Sequence, residues 1–155
     1  MKFISFNHDN SEKFGIIENN LITDLTGKID GALSLKELIK IKKIKEAKEY
    51  AKSNPGSIKP DQIKYSPLIP NPGKIICVGL NYSEHVKETN RTVEENPVIF
   101  HRFPESQTAH MQAIQRPTVS ESLDFEGEMA VVMDEGGKHI KPEDALKHIV
   151  GFSCY

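Results

Sequence analysis

Glu126 and Glu128 flank Gly127 in the segment Asp124-Phe125-Glu126-Gly127-Glu128, which runs straight into the apolar stretch Met129 to Met133. Side chains alternate along a strand, so two carboxylates two positions apart share a face at a backbone separation of about 6 to 7 Å. Like charges so placed repel. Either they line a solvated edge, or they face inward and are neutralised by a hard divalent cation, in which case oxygen donors point to Mg²⁺, Mn²⁺ or Ca²⁺ rather than zinc. Asp124 has the same parity and is either a further ligand or a strand-end cap. His85 and Glu88 stand at i and i+3 of a short predicted helix, close enough for their side chains to meet. A Glu carboxylate beside an imidazole fixes its tautomer and raises its basicity, as a water-activating base requires; the other reading is a surface pair. His101, His110, His139 and His148 show no ligand spacing among themselves and are read as structural or exposed.

The rest of the composition narrows the chemistry. The chain has 155 residues, 37% hydrophobic and 27% charged, with Lys+Arg 20 against Asp+Glu 22 and a net charge of -2. Its arginines are Arg91, Arg102 and Arg116, so there is no basic field for a nucleic acid. The lysines at 40, 42, 43, 45 and 48 are interspersed with Glu46 and Glu49 and read as a solvated helix face. Cys77 and Cys154 have neither metal-ligand spacing nor the pattern of a secreted disulfide scaffold, and are read as reduced thiols. The opening residues turn polar at Asn7-His8-Asp9-Asn10, too soon for the apolar core of a signal peptide, and no apolar run approaches a bilayer span. A cytoplasmic protein with no membrane partner is expected. The tripeptides Asn81-Tyr82-Ser83 and Asn90-Arg91-Thr92 match the glycosylation pattern but are uninformative without export.

These residues must be held by short elements. Residues 3–6, 14–17 and 21–25 are β-prone runs separated by Asn/Asp/Ser clusters and by Asn19-Asn20, which predicts a three-stranded meander. Ser34 and Glu37 form a capping-box pair ahead of Leu35, Leu38, Ile39, Ala47 and Ala51 at helical spacing. Ser66-Pro67-Leu68-Ile69-Pro70-Asn71-Pro72-Gly73 suits an extended connector, and a domain boundary is placed there, between residues 1–66 and 67–155. Beyond it, 74–79 and 98–100 read as short strands, with a helix from Asn81, capped by Asn81 and Glu84, to about Glu88. Met129 to Met133 reads as a strand buried on both faces, Asp134-Glu135-Gly136-Gly137 as a turn, and Pro142 as the first residue of a helix to about His148.

Taken together, the run from Lys74 through Gly79-Leu80-Asn81-Tyr82-Ser83-Glu84-His85-Val86-Lys87-Glu88 and the run from Asp124 to Val132 resemble the fumarylacetoacetate hydrolase family. Glu143-Asp144-Ala145-Leu146 leading to Gly151-Phe152-Ser153-Cys154-Tyr155 strengthens the likeness, which covers about residues 70–155; three motifs in order are more specific than one. The resemblance implies an α+β, strand-rich chain, with a mixed rolled β-sheet domain preceded by a small N-terminal α+β domain. It implies a divalent metal, usually Mg²⁺, held by three carboxylates, of which Glu126 and Glu128 match two. It gives His85 and Glu88 the place of the His-Glu pair that activates water, and puts Arg102 where many relatives carry a substrate-proximal lysine. The activity implied is hydrolysis of a carbon-carbon bond in a 1,3-dicarbonyl acid such as an acylpyruvate. Decarboxylation or tautomerisation of a related keto acid on the same site is the alternative, and a homodimer is the expected assembly. The family's third metal carboxylate is an aspartate just after the strand that Gly151–Tyr155 resembles. The expectation is therefore an incomplete catalytic domain, inactive by itself, against the other reading of a non-catalytic remnant.

Overall fold

The computed structural model describes residues 1–90 and 95–155, so part of the tripeptide at Asn90 lies outside the described residues. Three strands, β1 (Lys2–His8), β2 (Ser11–Glu18) and β3 (Leu21–Asp24), form the expected meander, and β4 (Lys64–Tyr65) adds to the outer edge of β1 to give the order β3-β2-β1-β4. The turns follow from residue type. His8 pairs with Ser11 across Asp9 and Asn10, both at positive φ, and Glu18 pairs with Leu21 across Asn19 and Asn20, also at positive φ. Two-residue hairpins require this left-handed pair, and Asn and Asp tolerate it. Gly15 sits where β2 meets β3, and a Cβ there would collide with the Thr23 carbonyl. That close approach is why a side chain is missing between Phe14 and Ile16.

The helical part differs from the single helix expected. α1 (Leu35–Lys40) ends at Ile41, Lys42 adopts φ 60°, and α2 (Ile44–Ser53) starts afresh. A left-handed residue cannot continue an α-helix, so the apolar positions divide into two groups, Leu35, Leu38 and Ile39 against Ala47 and Ala51, all buried. Ser34 caps α1 by accepting the Glu37 N–H at 3.2 Å, but the Glu37 carboxylate takes the N–H of Leu33 at 2.7 Å instead of that of the cap itself. Phe14 and Ile16 of β2 pack with these helical residues and with Leu25, Ile29 and Ala32 into one core, against which Val132 and Val150 also lie.

Downstream, β5 (Ile75–Gly79) pairs antiparallel with β6 (Val98–Arg102), and β7 (Met129–Met133) with β8 (Ile149–Cys154), as two separate hairpins. Between β5 and β6 stands α3 (Ser83–Glu88). Three readings need correction. α3 starts from Tyr82 with no side-chain cap, so Asn81 does not cap it, and residues Pro142–His148 form a 3-10 helix where an α-helix was expected. The strand at Met129–Met133 is not buried on both faces: Met129 is 63% and Met133 52% exposed, because nothing among the described residues packs on that side. No helix among the described residues is long and apolar enough to cross a membrane.

Candidate functional site

α3 carries the chemistry-bearing side chains and is held by one anchor. Its six residues are too few to be helical unaided, and Val86, 5% exposed, is its buried contact. The chain enters it through Leu80 at φ 56°, a conformation that costs a branched residue energy and redirects the backbone after β5. With Val86 turned inward, His85 is left half-buried on the flank, while Glu84 and Lys87 pair with each other at 2.8 Å in solvent.

The carboxylate segment meets this flank. Glu128 extends the β7–β8 ladder: its N–H bonds the Tyr155 carbonyl at 3.0 Å and its carbonyl accepts the Tyr155 N–H at 2.9 Å. Glu126 lies two residues earlier, outside the strand, and its Oε1 stands 3.8 Å from His85 Nε2. Tyr82, one helical turn before His85, lies against Glu128; hydrogen bonding to that carboxylate and its charge raise the phenol pKa above its ordinary value. Thus His85 of α3 stands beside Glu126, and Tyr82, the residue before the helix, lies toward Glu128.

The structure brings His85 to Glu126, and adds Tyr82, which the sequence reading passed over except as part of a motif. A tyrosine one turn from the candidate base was the available signal, since a buried or half-buried phenol seeks a polar partner. It does not join His85 to Glu88. Among the described residues Glu88 is exposed with no ion pair, and the partner of His85 is Glu126, 41 positions away. Arg102 ends β6 in solvent, its Nε donating to Ser106 Oγ at 3.3 Å, which leaves its outer nitrogens free of partners among the described residues. Asp124 accepts the N–H of Phe125 at 2.9 Å, the behaviour of a local cap. His101 and His110 stack edge-on with Phe103 and Tyr65, and His148 Nδ1 meets the Glu135 carbonyl, so each has a structural contact.

Two neighbouring carboxylates are the right kind of donor for a hard divalent cation. Among the described residues no group of three or more Asp, Glu, His or Cys side chains is placed to hold a metal ion. A hollow of about 200 Å³, lined by residues of β3, α2 and Pro55–Ile58, contains none of His85, Glu126 and Glu128.

The sequence profile described as "Fumarylacetoacetate (FAA) hydrolase C-terminal" matches residues 74–155. The chain belongs to the fumarylacetoacetate hydrolase family. Among relatives in this family, a mitochondrial oxaloacetate tautomerase of Xenopus laevis is 38% identical over 110 residues, which are 71% of this chain and 34% of that protein. A mitochondrial oxaloacetate tautomerase of Rattus norvegicus is 41% identical over 92 residues, 59% of this chain and 29% of that one. The chain thus spans about a third of the length of the curated relatives it matches. A fumarylacetoacetate hydrolase from Exiguobacterium antarcticum overlays it with a TM-score of 0.80 at 28% identity, covering 99% of this chain and 54% of that one. A maleylpyruvate hydrolase from Sphingobium, solved with manganese(II) and pyruvate, shares the fold at a TM-score of 0.76 and 18% identity, covering 99% and 57%. The family's α+β, strand-rich fold is therefore that of this chain.

Proposed function

We propose that the whole protein is a divalent-metal-dependent enzyme of keto acids in which His85 moves a proton at the carbon between two carbonyl groups. The observation that carries this reading is the approach of His85 Nε2 to the Glu126 carboxylate at 3.8 Å, which sets a proton-transferring imidazole beside an oxygen donor two residues from a second one, Glu128. Glu126 and Glu128 would hold Mg²⁺, with Mn²⁺ or Ca²⁺ as substitutes; the cation supplies charge stabilisation to the substrate oxygens. Arg102, at the end of β6, would bind a substrate carboxylate through its outer nitrogens.

Of the two fates of the enolate, tautomerisation is the first reading: a proton leaves carbon, another reaches oxygen, and no bond to water forms. Its support is twofold. The tautomerases of frog and rat match this chain at 38% and 41% identity, and His85 faces Glu126 while Glu88, the partner expected of a water-activating base, stands apart. The second reading, hydrolysis of an acylpyruvate, adds water's hydroxyl to one carbonyl carbon, breaks the adjacent carbon-carbon bond and passes its electron pair to the departing enolate, which is then protonated. Its support is the 28% identical fumarylacetoacetate hydrolase.

The deciding experiment gives the whole protein enol-oxaloacetate and an acylpyruvate in excess Mg²⁺. Accelerated loss of enol absorbance with no carbon fragment released supports tautomerisation; release of pyruvate together with a second carboxylic acid from the acylpyruvate supports hydrolysis. Neither reaction above the rate of buffer would remove both readings. A homodimer is proposed for the whole protein and is read from its mass in solution. The free thiols of Cys77 and Cys154 suit a reducing compartment, proposed to be the cytoplasm; the relatives named above are mitochondrial, and cell fractionation separates the two.

A further inference from the structure

We propose that Lys42 is a positioning residue, which through its ion pair with Glu135 fixes where the β7–β8 hairpin sits on the N-terminal sheet and its two helices. The proposal goes beyond the function proposed above and meets it at one point: Glu128, read there as a cation donor, belongs to the same ladder.

The residue type at position 42 is at odds with its backbone. α1 closes with two bonds, from the Lys42 N–H to the Ile39 carbonyl at 2.9 Å and from the Lys43 N–H to the Leu38 carbonyl at 3.2 Å, and Lys42 has φ 60°. This helix ending needs a left-handed residue at the first of those donors, where glycine is the usual occupant because it has no Cβ to strain. A lysine there costs conformational energy, so the reason for it lies in its side chain. Its Nζ reaches Glu135 Oε2 at 2.7 Å, 93 positions along the chain. Both partners are exposed, and such a pair adds too little stability to explain the strain. What it adds is a fixed direction. The hairpin rests on the N-terminal core through Val132 of β7 and Val150 of β8, and apolar contact is non-directional, leaving a two-stranded ribbon free to pivot. An ion pair near the turn stops the pivot, because the backbone at Glu135 is itself held: its carbonyl meets His148 Nδ1 at 2.9 Å, and the Asp134 N–H donates to the His148 carbonyl at 2.8 Å. At the hairpin's other end Glu128 exchanges two bonds with Tyr155, so a pivot of the ladder would carry the Glu128 backbone with it.

The test is a double-mutant cycle read by native-state hydrogen exchange of the whole protein without metal. Lys42→Gly and Glu135→Ala each remove the pair, and glycine suits the left-handed turn. Each should lower the protection of the Asp134 amide about two- to fivefold, the effect of losing an exposed pair, and the double variant should fall no further than either single one. Lys42→Arg, which keeps the charge, should hold the wild-type value. The amides of Lys43 and Leu25, bonded to Leu38 and Phe14, should stay protected throughout, showing that turn and core survive. Should Lys42→Gly disturb the turn, Glu135→Ala, which leaves residue 42 untouched, decides the matter. Unchanged Asp134 protection in Glu135→Ala, or a double variant that loses the product of the two single effects, would overturn the proposal. Mn²⁺ affinity of the same samples should fall in both single variants and hold in Lys42→Arg; altered exchange with unaltered affinity would make the pair a local brace and overturn its positioning role. Absence of Mn²⁺ uptake by the wild type would instead defeat the cation reading while leaving the exchange results as they are, so the two failures are told apart.

Discussion

Val86 is the fulcrum of the site, because α3 carries His85, follows directly on Tyr82 and has one buried residue. Val86→Ala removes two methyl groups from that contact, a loss of about 1.6 kcal/mol at about 0.8 kcal/mol each. Alanine returns about 0.5 kcal/mol through its higher helix propensity, leaving a net cost of about 1 kcal/mol. That is roughly a fivefold shift from docked to undocked α3, since about 1.4 kcal/mol corresponds to a factor of ten. The cost is local, because Val86 lies outside the core formed by Phe14, Ile16, Leu35 and Leu38. Native-state hydrogen exchange reads it directly: the amides of Val86 and Thr89, bonded to Tyr82 and His85, should exchange roughly fivefold faster, and that of Leu25, bonded to Phe14, should not change. Unchanged protection in α3, or an equal loss in the N-terminal sheet, would refute the single-anchor argument.

Asp24 should set part of the acid stability. Burial pushes its pKa up, but hydrogen bonds from Lys13 Nζ at 2.8 Å and from the Thr26 N–H at 2.9 Å outweigh it and hold the carboxyl below its usual range. A depressed folded-state pKa contributes stability that is present above the unfolded-state value and lost as pH falls through the folded one. Asp24→Ala should therefore cost about 1 to 2 kcal/mol at neutral pH and progressively less below pH about 4, read from urea midpoints across pH; a gap that stays constant down to the lowest pH would contradict this. Arg102→Ala in the whole protein should raise KM for a dicarboxylic keto acid at least tenfold with a smaller effect on kcat, as loss of uniform binding does. Equal KM values would reduce Arg102 to a support for the Ser106 turn.

What could be read before the structure was local. The meander was legible because Asn19-Asn20 and Asp9-Asn10 fit two-residue hairpins, and α1 because Ser34 and Glu37 stand three apart. The break at Lys42 was not, since a lysine at positive φ carries no mark in its residue type. In the site, the i, i+3 rule paired His85 with Glu88, but the contact that forms, with Glu126, is set by how α3 docks and crosses 41 positions. The alternation that put Glu126 and Glu128 on one strand face fails at Glu126, which precedes the strand, yet Glu126 still meets His85 of α3. Continuous apolarity at Met129–Met133 correctly marked a strand, but apolar content cannot say which faces this chain itself covers.

The central claim is that His85 transfers the proton while the carboxylates hold the cation. It is tested by His85→Ala in the whole protein, with Mn²⁺ affinity and turnover of enol-oxaloacetate and an acylpyruvate measured on the same sample. The account predicts Mn²⁺ affinity within about twofold of wild type and a loss of turnover of about 10² to 10⁴. Wild-type turnover with intact metal binding would contradict it and leave His85 an ordinary surface residue beside Glu126.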